Sequence, residues 1–309
     1  MPIGSAAPSF RRYETPMAQA VGVFGVLRQN AEAMSPARPP TRYTYGMTIR
    51  IGIGGWTYEP WRGTFYPEKW PQKRELDYAA DHVTAIEING TYYGSQKPAT
   101  FAAWAKAVPD GFVFSLKASR YCTNRKVLAE AGESIARFTG QGIVELGDRL
   151  GPILWQFMAT KTFDADDFAA FLKLLPDRQD GVALRHAIQV RHESFAVPEF
   201  VAMCRDAGVA IVFAQSAEYP AIADITGDFV YARLEDAEER FVAGYAPTAL
   251  DDWAGKAEIW AAGGRPQGLP YVEDATPPNQ PRETFMFFIN GAKVRAPQAA
   301  MALIARITA

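Results

Sequence analysis

Six short apolar runs in this chain each carry a polar residue at or near their C-terminal end: Asn89, Lys117, Gln156, Arg191, Arg233 and Asn290. Alternate residues of an extended run share one side. That parity groups Glu87 with Asn89, Ser115 with Lys117, Leu154 with Gln156, and Gln189 with Arg191. It also groups Tyr231 with Arg233, and Met286 and Phe288 with Asn290. A carboxylate among cations can be tuned as a general acid or base, which is the role read for Glu87. Arginine presents a planar fork suited to carboxylate or phosphate, so Arg191 and Arg233 read as an anion clamp. Lys117 reads as an electrophile or as an imine-forming amine. The catalytic candidates are therefore Glu87, Lys117 and Arg191. The candidate substrate-binding residues are Trp56, Asn89, Tyr92, Gln156, His192, Arg233 and Asn290.

The competing reading is a structural polar layer in which Glu87 pairs with Arg191 or Lys117 to plug the fold. Six strands ending alike favour a site over a plug. The candidate cluster carries three cations and one carboxylate, so it is positive inside a chain whose formal net charge is −2. A cationic funnel on an acidic body suits a small anion bearing phosphate or carboxylate.

Other chemistry has less behind it. The three histidines, His82, His186 and His192, form no HExxH pattern, and carboxylates are scarce at the run ends, so no metal site is expected. His192 follows Arg191 and reads either as an acid/base or as a local loop cap. Cys122 and Cys204 have no CxxC partner and no adjacent base, and read as buried thiols. No GxSxG elbow, P-loop or GxGxxG turn is present, and no cofactor is expected. Aromatic residues crowd two stretches: Trp56, Tyr58, Trp61, Phe65, Tyr66 and Trp70, then Tyr92-Tyr93. These rings either stack a base or sugar or close the top of the fold as a hydrophobic lid.

The elements that must position these residues alternate. Strands are expected at 49–53, 85–89, 112–117, 152–157, 186–191, 210–215, 229–234 and 284–290. Helices are expected at 71–80, 98–107, 133–146, 164–175, 198–207, 248–262 and 297–307, with none clear over 216–228. Strict alternation calls for a parallel sheet with helices outside. Eight units in about 260 residues fit a single (β/α)8 barrel of the TIM type, with a short or missing sixth helix. In such a barrel the polar run ends gather at the C-terminal mouth. A doubly wound sheet competes less well for want of its glycine-rich turn. The proline-rich insertion 263–283 precedes the eighth strand and is expected on the bottom face.

The chain has 309 residues, is 48% hydrophobic and 21% charged, and so has the composition of a packed globular protein. Its pI near 6.0 excludes a globally basic nucleic-acid binder. No apolar run is long enough to span a bilayer. With two cysteines and no disulfide framework, the expected location is cytoplasmic. Residues 1–46, broken by prolines, read as a disordered extension, with Met47 the natural start and 47–309 the barrel domain. Arg11-Arg12, the apolar stretch 18–27 and Ala31-Glu32-Ala33 admit a processed leader as the lesser reading.

The quoted residues also carry a family resemblance. Gly55-Trp56-x-Tyr58-x-x-Trp61-x-Gly63-x-Phe65-Tyr66-Pro67 and Glu87-Ile88-Asn89-x-Thr91-Tyr92-Tyr93 are long and specific blocks. They are joined by Thr100-x-x-x-Trp104, Phe112-x-Phe114-x-x-Lys117, Leu146-Gly147-x-x-Leu150-Gly151, Arg191-His192-x-Ser194-Phe195, Tyr231-x-Arg233 and Ala296-Pro297. Together they resemble the YecE-like family, domain of unknown function 72, from about Ile51 to the C-terminus. The resemblance implies a TIM-type barrel and brings no established activity. This chain departs from the family pattern at four places. Gln215 stands where Asp often ends the sixth strand, and Arg233-Leu234-Glu235-Asp236 replaces Arg-x-His-Gly. Thr123-Asn124 replaces Thr-His, and Ile289-Asn290 replaces Asn-Asn. Losing both His and Asp weakens any histidine- or metal-based mechanism, whereas Glu87, Asn89, Lys117, Arg191 and Arg233 are kept.

Two function classes follow. The first is a cofactor-independent enzyme, of hydrolase or lyase type, acting on a small anionic substrate at the mouth. The alternative is a non-catalytic binder of nucleotide or single-stranded nucleic acid, which is not favoured. Oligomeric state is not readable.

Overall fold

The computed structural model describes residues 49–275 and 277–307. The expected extension at 1–46, with its alternative as a leader, lies outside the described residues.

Eight parallel strands close into one barrel. They are β1 (Ile49–Gly54), β2 (Ala85–Ile88), β3 (Val113–Lys117), β4 (Leu150–Gln156), β5 (His186–Gln189), β6 (Ala210–Gln215), β7 (Phe229–Leu234) and β8 (Glu283–Phe288). Each strand pairs with its neighbours in sequence, and β8 closes on β1. The main helices are α1 (Glu75–Ala80), α2 (Pro98–Ala107), α3 (Gly132–Thr139), α4 (Ala165–Leu172), α5 (Pro198–Asp206), α6 (Pro247–Ala261) and α7 (Ala296–Ile307). No helix joins β6 to β7, as the sequence leads one to expect.

Local chemistry explains the boundaries. Asp164 caps α4 by accepting the amide of Asp167 at 3.0 Å. Proline occupies the first turn of α2, α5 and α6, where its missing donor costs nothing. The single helix expected over 133–146 is two pieces, α3 and a 3-10 segment at Ile143–Arg149. Gly142 divides them: its φ is +102°, and Pro98 leaves no room for a side chain there. The helix expected from Pro71 begins as a 3-10 turn, Gln72–Arg74, before α1.

The barrel wall has two apolar layers. Outward residues such as Ile51, Ile53, Ile86, Phe114, Trp155 and Phe213 pack under the helices. Inward residues form a separate cluster: Ala85, Val113, Leu154, Ala187, Ala210, Val212, Phe229, Tyr231, Phe285, Phe287 and Ile289. The interior is lopsided. β7 and β8 send in four aromatic rings, while Gly52, Ala85, Ala187 and Ala210 stand on β1, β2, β5 and β6. Gly52 pairs with Phe287 across the β1–β8 seam. Small against large fills the barrel without overpacking.

The bottom is plugged by charge. Glu283 accepts from Arg50 Nε at 2.5 Å and from Arg185 Nη1 at 2.6 Å. The Arg185 guanidinium lies 5.3 Å from the Phe229 and Phe285 rings. The 263–283 insertion is tied to the segment before β7, because Asp224 accepts the amides of Val272 and Glu273. It therefore sits at the strand N-termini, as expected.

His186 is a satisfied core histidine. It accepts from Trp155 Nε1 at 3.1 Å on one nitrogen, and its other nitrogen lies 2.9 Å from the Pro176 carbonyl oxygen. Burial lowers its pKa below 6.5, so the folded state holds it neutral. This contribution is whole above pH 6.5 and is lost as pH falls below it. His186→Phe should flatten the fall in stability between neutral pH and pH 5, read from urea midpoints. Gly52→Ala should cost on the order of 1–3 kcal/mol or more. Its Cβ would stand 2.3 Å from the Ala85 carbonyl oxygen and 2.8 Å from the Phe287 ring. A loss within 0.5 kcal/mol, roughly the scatter of neutral surface changes, would contradict this packing.

Candidate active site

Parity holds on β2, β3, β4, β5 and β7. Glu87, Ser115, Gln156, Gln189 and Arg233 line up with the inward apolar residues of their strands and are all buried. They form one network. Glu87 is 0% exposed and Arg233 is 1% exposed. Arg233 spans the barrel to Glu87, with Nε to Oε2 at 3.0 Å and Nη2 to Oε1 at 3.2 Å. Tyr231 donates its hydroxyl to Glu87 Oε2 at 2.8 Å, and Ser115 Oγ lies 2.8 Å from that hydroxyl. Arg233 Nη1 donates to Gln189 Oε1 and to Glu235 Oε1, both at 2.7 Å. Gln156 Nε2 donates to the same Gln189 oxygen at 2.7 Å.

In this layer both carboxylate oxygens of Glu87 are engaged and its surface is sealed. Burial pushes its pKa up, but Arg233 and Lys117, with hydrogen bonds from Arg233 and Tyr231, overcome this and hold it below 4.5. Arg233 spends its fork on protein acceptors rather than on a substrate. The pairing expected for a plug, Glu87 with Arg191 or Lys117, is instead Glu87 with Arg233. Glu235, a residue the sequence reading passed over, is the second acid of the layer. Its signal was available: it continues the Tyr231, Arg233 parity by one more step. With it, the cluster carries three cations against two carboxylates.

Lys117 and Arg191 belong to the same electrostatic cluster and are used differently. Lys117 Nζ rests 4.4 Å from the centre of the Tyr92 ring and donates no hydrogen bond to any of the described residues. Burial, then Arg233 and Arg191, pull its pKa down to about 8 against the partial opposition of Glu87 and Glu235. The Arg191 guanidinium stacks on Tyr219 at 4.4 Å, and its Nε is a buried donor without a partner. Gln189 Nε2 is another. The Gln189 amide cannot turn to relieve this, because its oxygen must face the Arg233 and Gln156 donors.

The remaining candidates are placed less centrally. Asn290 is exposed and out of register: Phe285, Phe287 and Ile289 are the inward residues of that run, while Met286 and Phe288 pack outside. The expected Met286, Phe288, Asn290 face is therefore the outer one. Asn89 Nδ2 reaches the Glu87 carbonyl at 3.4 Å. His192 accepts the Ser194 amide on Nδ1 at 3.2 Å and caps the short turn Glu193–Phe195, which is its local reading. Tyr92 carries Lys117 and accepts from Asn124 at 3.0 Å. Trp56 packs edge-on against Trp104 at 5.3 Å, over the outer layer. Trp61, Phe65 and Tyr66 are buried among one another and Tyr78, and Trp61 Nε1 donates to the Lys293 carbonyl. Those three rings are packed against one another, whereas Tyr93 and Tyr121 are exposed. Burial pushes the Cys122 thiol up to about 12, which makes it inert. Among the described residues, no group of three or more His, Cys, Asp or Glu is arranged to hold a metal ion. None of their helices is long and apolar enough to cross a membrane.

Glu87→Ala leaves Arg233 charged and sealed, with its Nε and Nη2 donors stranded. It should cost roughly 3–5 kcal/mol in urea unfolding. The Glu87→Ala, Arg233→Ala double variant should show strong coupling, because each single change strands the other partner. Additive losses would mean that the two do not form a unit.

Solved structures share this fold. A DUF72 family protein of Thermotoga maritima superposes with a TM-score of 0.62 at 22% identity, over 82% of this chain and 96% of that one. A DUF72 family protein of Enterococcus faecalis gives 0.62 at 17% identity, over 85% and 96%. No curated protein matches the chain. The model of the DUF72 family, proteins of unknown function, matches residues 50–309, and the chain belongs to that family.

Proposed function

We propose that this protein is an enzyme, of hydrolase or lyase type, acting on a small anionic substrate at the C-terminal mouth of its barrel. One observation carries the reading: donors without acceptors adjoin a layer whose carboxylate is engaged. Among the described residues, Arg191 Nε and Gln189 Nε2 have no acceptor and Lys117 Nζ rests on the Tyr92 ring, while both carboxylate oxygens of Glu87 are taken. A buried donor left unpaired costs about 1–3 kcal/mol, and a phosphate or carboxylate oxygen supplies what it lacks. In this reading Arg191 and Gln189 hold the anion and Lys117 is the acid/base or nucleophile. Glu87, Arg233 and Gln156 position them.

The alternative, binding of nucleotide or single-stranded nucleic acid, has less support, because the rim rings Trp61, Phe65 and Tyr66 are buried against one another. Melting curves against sugar phosphates, carboxylates, nucleotides and short oligonucleotides separate the two. The proposal expects a shift with a small anion that Arg191→Ala abolishes. At a hundred times its dissociation constant such a ligand adds about 2.7 kcal/mol. A shift that grows with strand length and collapses with salt would favour the alternative.

A further inference from the structure

The mouth also holds an amine that has no hydrogen-bond acceptor among the described residues. Lys117 closes β3, where barrel enzymes present reacting groups. A structural lysine in a charged layer normally ends on a carboxylate. Glu87 and Glu235 are both near enough to act on Lys117, yet both are bound by Arg233 instead. Lys117 lies against the face of Tyr92 and is only partly buried, so a substrate entering the mouth can reach it. A second cation, Arg191, stands in the same cluster with an unpaired donor. An amine beside an anion clamp is the arrangement that captures a carbonyl compound carrying its own negative charge.

We propose that Lys117 forms an imine with a ketone or aldehyde that also bears a carboxylate or phosphate. The proposal rests on the mouth being the substrate site and selects lyase over hydrolase chemistry. The neutral amine attacks the carbonyl carbon, forming a C–N bond as the carbonyl π pair moves to oxygen. The carbinolamine then loses that oxygen with the two amine protons as water, and the nitrogen lone pair makes C=N. No oxidant, reductant or metal is needed. The imine is the electron sink through which an adjacent C–C or C–H bond can break.

The groups facing Lys117 support this. Desolvation and the charges of Arg233 and Arg191 lower its pKa to about 8, against Glu87 and Glu235. The reactive neutral form is then abundant at mildly alkaline pH. Capture should rise with pH and level off above about 8. A surface lysine would go on rising toward its ordinary 10.5.

The test is borohydride trapping on the full chain, with pyruvate and dihydroxyacetone phosphate as probes and acetone as the uncharged control. Reduction of a pyruvate imine adds the mass of pyruvic acid less one oxygen atom. The expected result is a single adduct that peptide mass spectrometry places on Lys117 with at least one of the charged probes. It should be absent in Lys117→Arg, and at least tenfold weaker in Arg191→Ala for the charged probe but not for acetone. Labelling spread over surface lysines, or no adduct with either charged probe, overturns the imine. Melting shifts by phosphate and pyruvate on the same samples keep the two claims apart. A shift that Arg191→Ala abolishes, without trapping, sinks the imine and leaves the anion site standing. Neither shift nor trapping sinks both.

Discussion

The buried pairing of Glu87 with Arg233 is the constraint on which the mouth depends. It joins β2 to β7 across the barrel, through residues 146 positions apart in the chain. Neither charge can reach water, so each is tolerable only because the other is present and its remaining hydrogen-bond capacity is met. Tyr231 serves Glu87, and Gln189 and Glu235 serve Arg233. The barrel's aromatic filling comes from β7 and β8, and Gly52, Ala85, Ala187 and Ala210 make room for it.

Saturation of that floor is what frees the groups above it. Because Arg233 takes both acids and the Gln189 oxygen, Lys117 and Arg191 are left to aromatic faces, Tyr92 and Tyr219. An aromatic face holds a cation in place without consuming all its donors. The excess of one positive charge in the cluster then depends on Lys117, whose proton is loosely held. The charge of the cluster thus turns on one lysine rather than on the carboxylate that the sequence marks most clearly.

Much of this was legible before any coordinates. The alternation of β-rich runs and helical spacing predicts the closed barrel, its missing sixth helix and the bottom position of the insertion. The cost of stranding a charge under the outer helices also predicts that Glu87, Lys117, Arg191 and Arg233 face inward. The inward reading failed on β8. Phe285 to Ile289 is apolar on both faces, so polarity could not choose between them, and Asn290 pointed the wrong way. The break at Gly142 was missed because helical periodicity continues on both sides of it. The partner of Glu87 was out of reach for a different reason. Which of three cations it meets depends on barrel geometry, and local pattern carries no such information. Glu235 was readable as the next inward step after Arg233, but it lies one residue beyond the strand.

The central claim is that Glu87 and Arg233 form a sealed floor and that an anion binds above it. A crystal structure of the protein soaked in inorganic phosphate at neutral pH tests this most directly. The account predicts phosphate oxygens within hydrogen-bond distance of Arg191 Nε and Gln189 Nε2, with the Glu87–Arg233 pair unchanged beneath. Arg233 swung away from Glu87 to take the phosphate itself, or an empty mouth with both orphan donors bonded to protein, would contradict it.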